Sequence, residues 1–160
     1  MDVHEVLSRP LAAQLLRGSP LARLAYVAYD GTPRVVPMGF VWRDGTVLVW
    51  TIPISAKVPA LRRRPWVALT IDHDGYPARA LLIRGSAEIT VVPGVPDGYI
   101  EASLKTQSGR AAEDFGAAVR RMYDSMAQIV ITPTWARLND FETTLPKAVE
   151  DVIRRKTAAQ

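Results

Sequence analysis

The chain contains no cysteine. That excludes disulfide bridges, zinc–thiolate centres and thiol nucleophiles. Histidine is nearly as scarce, with only His4 and His73. His4 falls in an N-terminal helical stretch and His73 beside a turn, where a lone histidine is ordinarily a solvated surface residue. No HExxH, GxSxG, Walker or GxGxxG pattern occurs. The aspartates Asp30, Asp72 and Asp74 sit at turns, a placement their own hydrogen bonding explains. No carboxylate spacing or His/Asp/Glu cluster suggests a metal. No apolar run approaches the length of a membrane span, and the opening residues MDVHEVLSRPL lack the basic-then-apolar order of a signal peptide. The expectation is a cytoplasmic protein with no membrane partner.

What is present is an ordinary globular composition: 160 residues, 48% hydrophobic and 22% charged, with a formal net charge of +4. One domain over residues 1–160 is expected, large enough to bury a core without staples. The positive balance suits an anionic ligand, and also loose attraction to nucleic acid.

Apolar spacing predicts a helix over residues 3–16, stopped by Gly18, Ser19 and Pro20. Strands follow over 21–29, 34–42, 46–52, 67–72 and 80–92. The dipeptides Asp30-Gly31, Asp44-Gly45 and Asp74-Gly75 supply tight turns between them. Pro37 and Gly39 within the second strand argue for a bulge or a sheet edge. A helical insertion covers about 97–126, with helices at 99–105 and 111–126. Strands return at 126–132 and 135–141, and the tail from Thr144 is helical or frayed. Six or seven strands joined by tight turns predict a small antiparallel barrel, mainly β with a few helices. The absence of helices between the early strands disfavours a parallel βαβ arrangement.

Between strands 46–52 and 67–72 lies a short helix that opens with Ser55, Ala56 and Lys57. Ser55 is expected to cap it, Pro59 is tolerated in its first turn, and Pro65 ends it. Open N–H groups at a helix start, together with the Lys57 charge, form a place to hold a phosphate. A helix capped only for stability is the competing reading. Arg62, Arg63 and Arg64 in its last turn are well placed as solvated terminal cations. A chain with a phosphate-holding segment and little acid–base equipment points to a bound cofactor that carries the chemistry.

Three segments, DGTPRVVPMGFVWRDGTVLVWT, SAKVPALRRRPWVALTID and RALLIRGSAEI, resemble the pyridoxamine 5′-phosphate oxidase-like split β-barrel family. That family includes FMN-binding and deazaflavin (F420)-dependent members. The stretch IVITPTWARLNDFE resembles the family's C-terminal strand. The resemblance implies a six- to seven-stranded antiparallel split barrel of the FMN-binding type. It implies that Pro37, Met38 and Gly39 line a flavin ring, partly through backbone. Trp50, Thr51 and Ile52 then flank the ring and ribityl chain, while Ser55 and Lys57 hold the terminal phosphate. It further implies a homodimer with sites at the interface, where Arg79, Trp135 and Arg137 complete the partner's site. No RxH-like pattern stands near the C-terminus, which disfavours pyridoxamine-phosphate oxidation itself.

From the residues alone, Trp50 is divided evenly between core and ring contact, and Trp42 is a core residue. The function implied is an FMN- or F420-dependent oxidoreductase acting on a small molecule. Two other classes stand beside it: a carrier or heme-binding split barrel without turnover, and a basic nucleic-acid-binding barrel. The last is disfavoured because the basic residues do not interleave with aromatics as a stacking platform requires.

Overall fold

The computed structural model describes residues 2–158. Seven strands form one sheet in the order β2-β1-β5-β6-β7-β4-β3, and every paired neighbour is antiparallel. The strands are β1 (Leu21–Val27), β2 (Pro33–Gly39), β3 (Val41–Arg43), β4 (Thr46–Thr51), β5 (Trp66–His73), β6 (Arg79–Pro93) and β7 (Ser125–Asn139). The two edge strands, β2 and β3, are consecutive in the chain, separated by Phe40 alone. The sheet therefore curls until its edges are joined by one fully buried residue. This is the split barrel expected from the sequence.

Six helices accompany the sheet: α1 (Val3–Ser8), α2 (Pro10–Gly18), α3 (Lys57–Arg63), α4 (Asp97–Leu104), α5 (Gly109–Met122) and α6 (Lys147–Thr157). The single helix predicted over residues 3–16 is two. Arg9, with ψ 141°, leaves the helical region before Pro10, whose ring disfavours a helical residue ahead of it. The second predicted strand is likewise two, β2 and β3, because the chain must pass from one sheet edge to the other at Phe40. Conversely, the strands predicted at 126–132 and 135–141 are one. β7 runs unbroken through Pro133, because a register shift pairs Gly85 with Pro133 and Arg84 with Trp135, leaving Thr134 as an extra residue. A bulge of this kind absorbs a proline that has no N–H to give the ladder. The expectation of an edge at Pro37 and Gly39 holds, since β2 is an edge strand.

Of the three expected tight turns only Asp44-Gly45 is a two-residue hairpin; β1 and β2 are joined by the longer loop 28–32 and β5 and β6 by the loop 74–78, in which Gly75 does not take a positive φ. Asp44 and Gly45 have φ of 51° and 75°, the pair of positive values that a tight two-residue hairpin between β3 and β4 requires. Alternating side chains of the strands, such as Leu24, Val49, Leu69, Ile83 and Ile131, fill the barrel, and α1 and α2 seal it with Val6, Leu15 and Leu16. A second, smaller core lies outside it. There α4 and α5 pack Ala102 and Val119 onto Val41, Trp50 and Met126. Among the described residues, no helix is long and apolar enough to cross a membrane.

Candidate functional site

The segment from β4 to α3 gathers most of the sequence-predicted site residues. Thr51, the last residue of β4, pairs with Ala127 of β7. The chain then makes two successive turns. Ser55 N–H donates to the Ile52 carbonyl at 3.0 Å, and Val58 N–H donates to the Ser55 carbonyl at 2.9 Å. These turns hold Thr51, Ile52, Ser55 and Lys57 on one short, folded link. Ser55 does not cap α3 as expected. The N-cap is Ala56, and no side chain caps the helix. Ser55 contributes its carbonyl instead, because the extra turn moves the helix start one residue on. The Ser55 hydroxyl and the Lys57 ammonium therefore have no partner among the described residues, nor do the Ala56 and Lys57 N–H groups. Both side chains are half-buried, whereas Ile54 between them and β4 is 91% exposed.

Two of the three neighbouring arginines have structural duties. Arg63 lies over the Tyr29 ring at 5.2 Å, and Arg64 donates to the Ala28 carbonyl at 3.1 Å. They tie α3 to the β1–β2 hairpin. Arg62 is exposed.

Trp50 resolves the even division left by the sequence. Its indole is 5% exposed, packed in the second core, and its Nε1–H donates to Gln128 Oε1 at 3.1 Å. Along this strand end, the groups open to a ligand are the half-buried Thr51 and the exposed Ile52. On β2, Pro37 is exposed on the edge and Met38 packs against the barrel core. Gly39 lies under α4, where an added Cβ would meet Ala102 Cβ at 3.5 Å, so one face of this glycine is used by the helix.

The remaining predicted residues lie elsewhere. Arg79 begins β6, opposite His73. It lines a cleft of about 450 Å³ with Ser19, Leu21 and Asp72. That cleft is at the Leu21 end of β1, while α3 is tied to Ala28 beyond its other end, on the order of 20 Å away along the strand. Trp135 and Arg137 line a third region of about 420 Å³, beside Arg9 and Glu150. Trp135 lies under the Arg84 guanidinium at 4.3 Å. Arg137 is already engaged: it donates to Asn139 Oδ1 at 3.0 Å and to the Leu145 carbonyl, and it pairs with Glu150 at 3.5 Å. Within one chain these three residues do not join Ser55 and Lys57.

Two features had no signal in the sequence. Gln128 fixes the Trp50 indole from a neighbouring strand. Lys105, at the end of α4, donates to the Phe40 carbonyl at 3.0 Å and lies 4.3 Å from the Phe40 ring. Burial lowers its pKa, with Glu101 opposing.

The family model described as pyridoxamine 5′-phosphate oxidase matches residues 9–140. The chain belongs to that family. The match spans the barrel and both helices between β6 and β7. No functionally curated protein matches the chain. Among solved structures, conserved hypothetical protein Rv2991 from Mycobacterium tuberculosis aligns at 24% identity and a TM-score of 0.67, covering 86% of this chain and 87% of that one. A structure described as an F420 reductase aligns at 25% identity and a TM-score of 0.60, covering 78% and 94%. HutZ, the heme storage protein of Vibrio cholerae, shares the fold at 15% identity and a TM-score of 0.57, covering 86% and 94%.

The donor set of this family member suits the phosphate of a flavin or deazaflavin. A hydroxyl, an ammonium and two backbone N–H groups stand together without acceptors among the described residues. The fit does not extend to the Trp50 ring, which is committed to the core.

Proposed function

We propose that this chain binds FMN through the link between β4 and α3 and acts as a flavin-dependent oxidoreductase on a small molecule. The single observation that carries the reading is the set of Ser55, Lys57 and the adjoining N–H groups, without partners among the described residues and held by two turns beside Thr51 and Ile52. Ser55 and Lys57 would hold the phosphate, and the backbone around Thr51 and Ile52 would orient the rest of the molecule. The bound flavin would supply hydride transfer; the protein's part is anchoring, orientation and exclusion of water. This division of labour accounts for a chain with two histidines, no cysteine and no metal cluster among its described residues.

A second reading replaces FMN by F420, and the 25% identity to an F420 reductase favours it. Both cofactors carry a ring and a phosphate, so the same anchor serves either.

The site is read as completed by a second copy of the chain. Ile54, at 91% exposure, and the exposed β2 edge residue Val35 border the proposed site segments and lack cover in the single chain. Trp135 is then a candidate to reach the partner's cofactor.

Titration with FMN and with F420, followed by ring fluorescence, tests binding. Saturable binding of one of them is expected, followed by bleaching of the bound ring with a reduced nicotinamide or another hydride donor and recovery with an acceptor. Binding without turnover across a broad panel of donors and acceptors would favour a carrier and overturn the oxidoreductase reading.

A further inference from the structure

Arg79 is a charged residue without an ion-pair partner among the described residues. No carboxylate or carbonyl among the described residues accepts from its guanidinium, and its Nε is buried with no partner. Such a donor is normally satisfied by protein, water or ligand, and each exception calls for an explanation. Two acids are close in sequence or space. Asp72 pairs with Arg23 across the β1–β5 ladder, and Asp74 is exposed in the hairpin loop. The fold therefore places an arginine beside carboxylates without using it as their counter-ion.

The space in front of Arg79 is built like a small-molecule site. Its volume of about 450 Å³ falls within the range of roughly 300–1,000 Å³ common for such pockets. Leu11, Leu15 and Leu21 supply apolar wall, and Ser19 stands at the turn between α2 and β1. Polar lining comes from the Arg23–Asp72 pair, Asp74 and His73. The site thus combines an apolar body with one guanidinium that has no hydrogen-bond partner among the described residues.

We propose that this cleft is a second ligand site, which takes a small organic monocarboxylate with Arg79 as its anchor. The planar fork of arginine matches a carboxylate in two parallel hydrogen bonds. A dianion fits less well, because Asp72 and Asp74 line the same cleft and repel the second charge. The apolar wall requires a hydrocarbon or aromatic body behind the carboxylate.

Benzoate is the probe, titrated into the full chain and followed by amide and arginine side-chain resonances in proton–nitrogen NMR spectra. The expected result is saturable millimolar binding that shifts Ser19, Leu21 and Arg79 amides together and shifts the Arg79 guanidinium Nη–H resonances as they gain an acceptor. Benzyl alcohol should shift these resonances far less, and phenyl phosphate should bind more weakly than benzoate. Arg79→Gln should weaken benzoate at least tenfold, and Arg79→Lys should retain part of the affinity. No response of the Arg79 guanidinium Nη–H groups in the wild type, or benzoate affinity unchanged in either variant, overturns the proposal. Tighter binding of phenyl phosphate overturns the carboxylate assignment. The titration contains no flavin, so its outcome is independent of the cofactor reading.

Discussion

Trp50 occupies the space that a side chain on Gly98 would need: a Cβ at Gly98 would stand 2.5 Å from Trp50 Cη2 and 2.7 Å from Cζ2. The first turn of α4 therefore rests on the indole through bare backbone. Gln128 holds the other edge of the ring through its Nε1–H. The end of β4, from which Thr51 and Ile52 enter the proposed site, is fixed between these two contacts.

Gly98→Ala is accordingly expected to destabilise the fold by about 1–3 kcal/mol, the range for overpacking a closed core. Urea unfolding measures it. Combining Gly98→Ala with Trp50→Phe should recover part of the loss, since the smaller ring removes the clash and the two sites are coupled. A purely additive double variant would contradict this contact.

Gly85→Ala is expected to cost more, about 3 kcal/mol or above. Its Cβ would lie 2.3 Å from the Thr132 carbonyl oxygen, and that atom belongs to the backbone of the paired strand. A ring can tilt away; a strand beside the Pro133 bulge cannot. Comparison of the two alanine variants in the same unfolding experiment checks the order.

Asp140 organises the turn after β7. It accepts from the N–H groups of Glu142, Thr143 and Thr144 and from the Thr143 hydroxyl. These bonds, led by the Thr143 hydroxyl, hold its carboxyl far below the ordinary value of 3.8. A depressed folded pKa means that the stabilisation is complete above the unfolded pKa, near 4, and is lost as pH falls towards the folded pKa. The stability difference between wild type and Asp140→Ala should therefore be constant from pH 7 to about pH 5 and shrink below about pH 4. A difference that persists undiminished at about pH 2 would show that charge is not its source.

Self-association and cofactor affinity should fall together. Sedimentation at low micromolar concentration is expected to give twice the 17.6 kDa chain mass. Ile54→Asp, at a residue with almost no intrachain cover, should weaken both association and FMN binding while leaving the fold intact. A monomer with full cofactor affinity would contradict a shared site.

How much of this was legible in the sequence depended on whether the deciding contact was local. The Asp44-Gly45 hairpin is written in two adjacent residues, and the structure has it. The break at Arg9 is also local, since the residue before a proline avoids the helix, but the apolar spacing of residues 3–16 runs across it. Pro133 reads as a strand end. It is not one, because the strand is continued by a bulge whose other half, Arg84 and Gly85, lies some fifty residues earlier in the chain. The same holds at the site. Ser55, Lys57 and Ile52 come from one short segment and stay together. Trp50 was undecided because Gly98 and Gln128, which bury it, come from another helix and strand. The Arg79 cleft draws its walls from residues 11–23 and 72–79, and only the β1–β5 pairing brings them together.

The central claim is that Ser55 and Lys57 anchor a cofactor phosphate, and the most direct measurement is the affinity of Lys57→Ala for whichever of FMN and F420 the wild type binds. Loss of one charge-assisted contact should weaken that affinity by about 1.5–3 kcal/mol, roughly 10- to 150-fold, with the thermal unfolding of the unliganded protein unchanged. Ser55→Ala should weaken it less, by the smaller value of a neutral hydrogen bond. An unchanged affinity in the folded Lys57→Ala variant would remove Lys57 from the site and contradict the account.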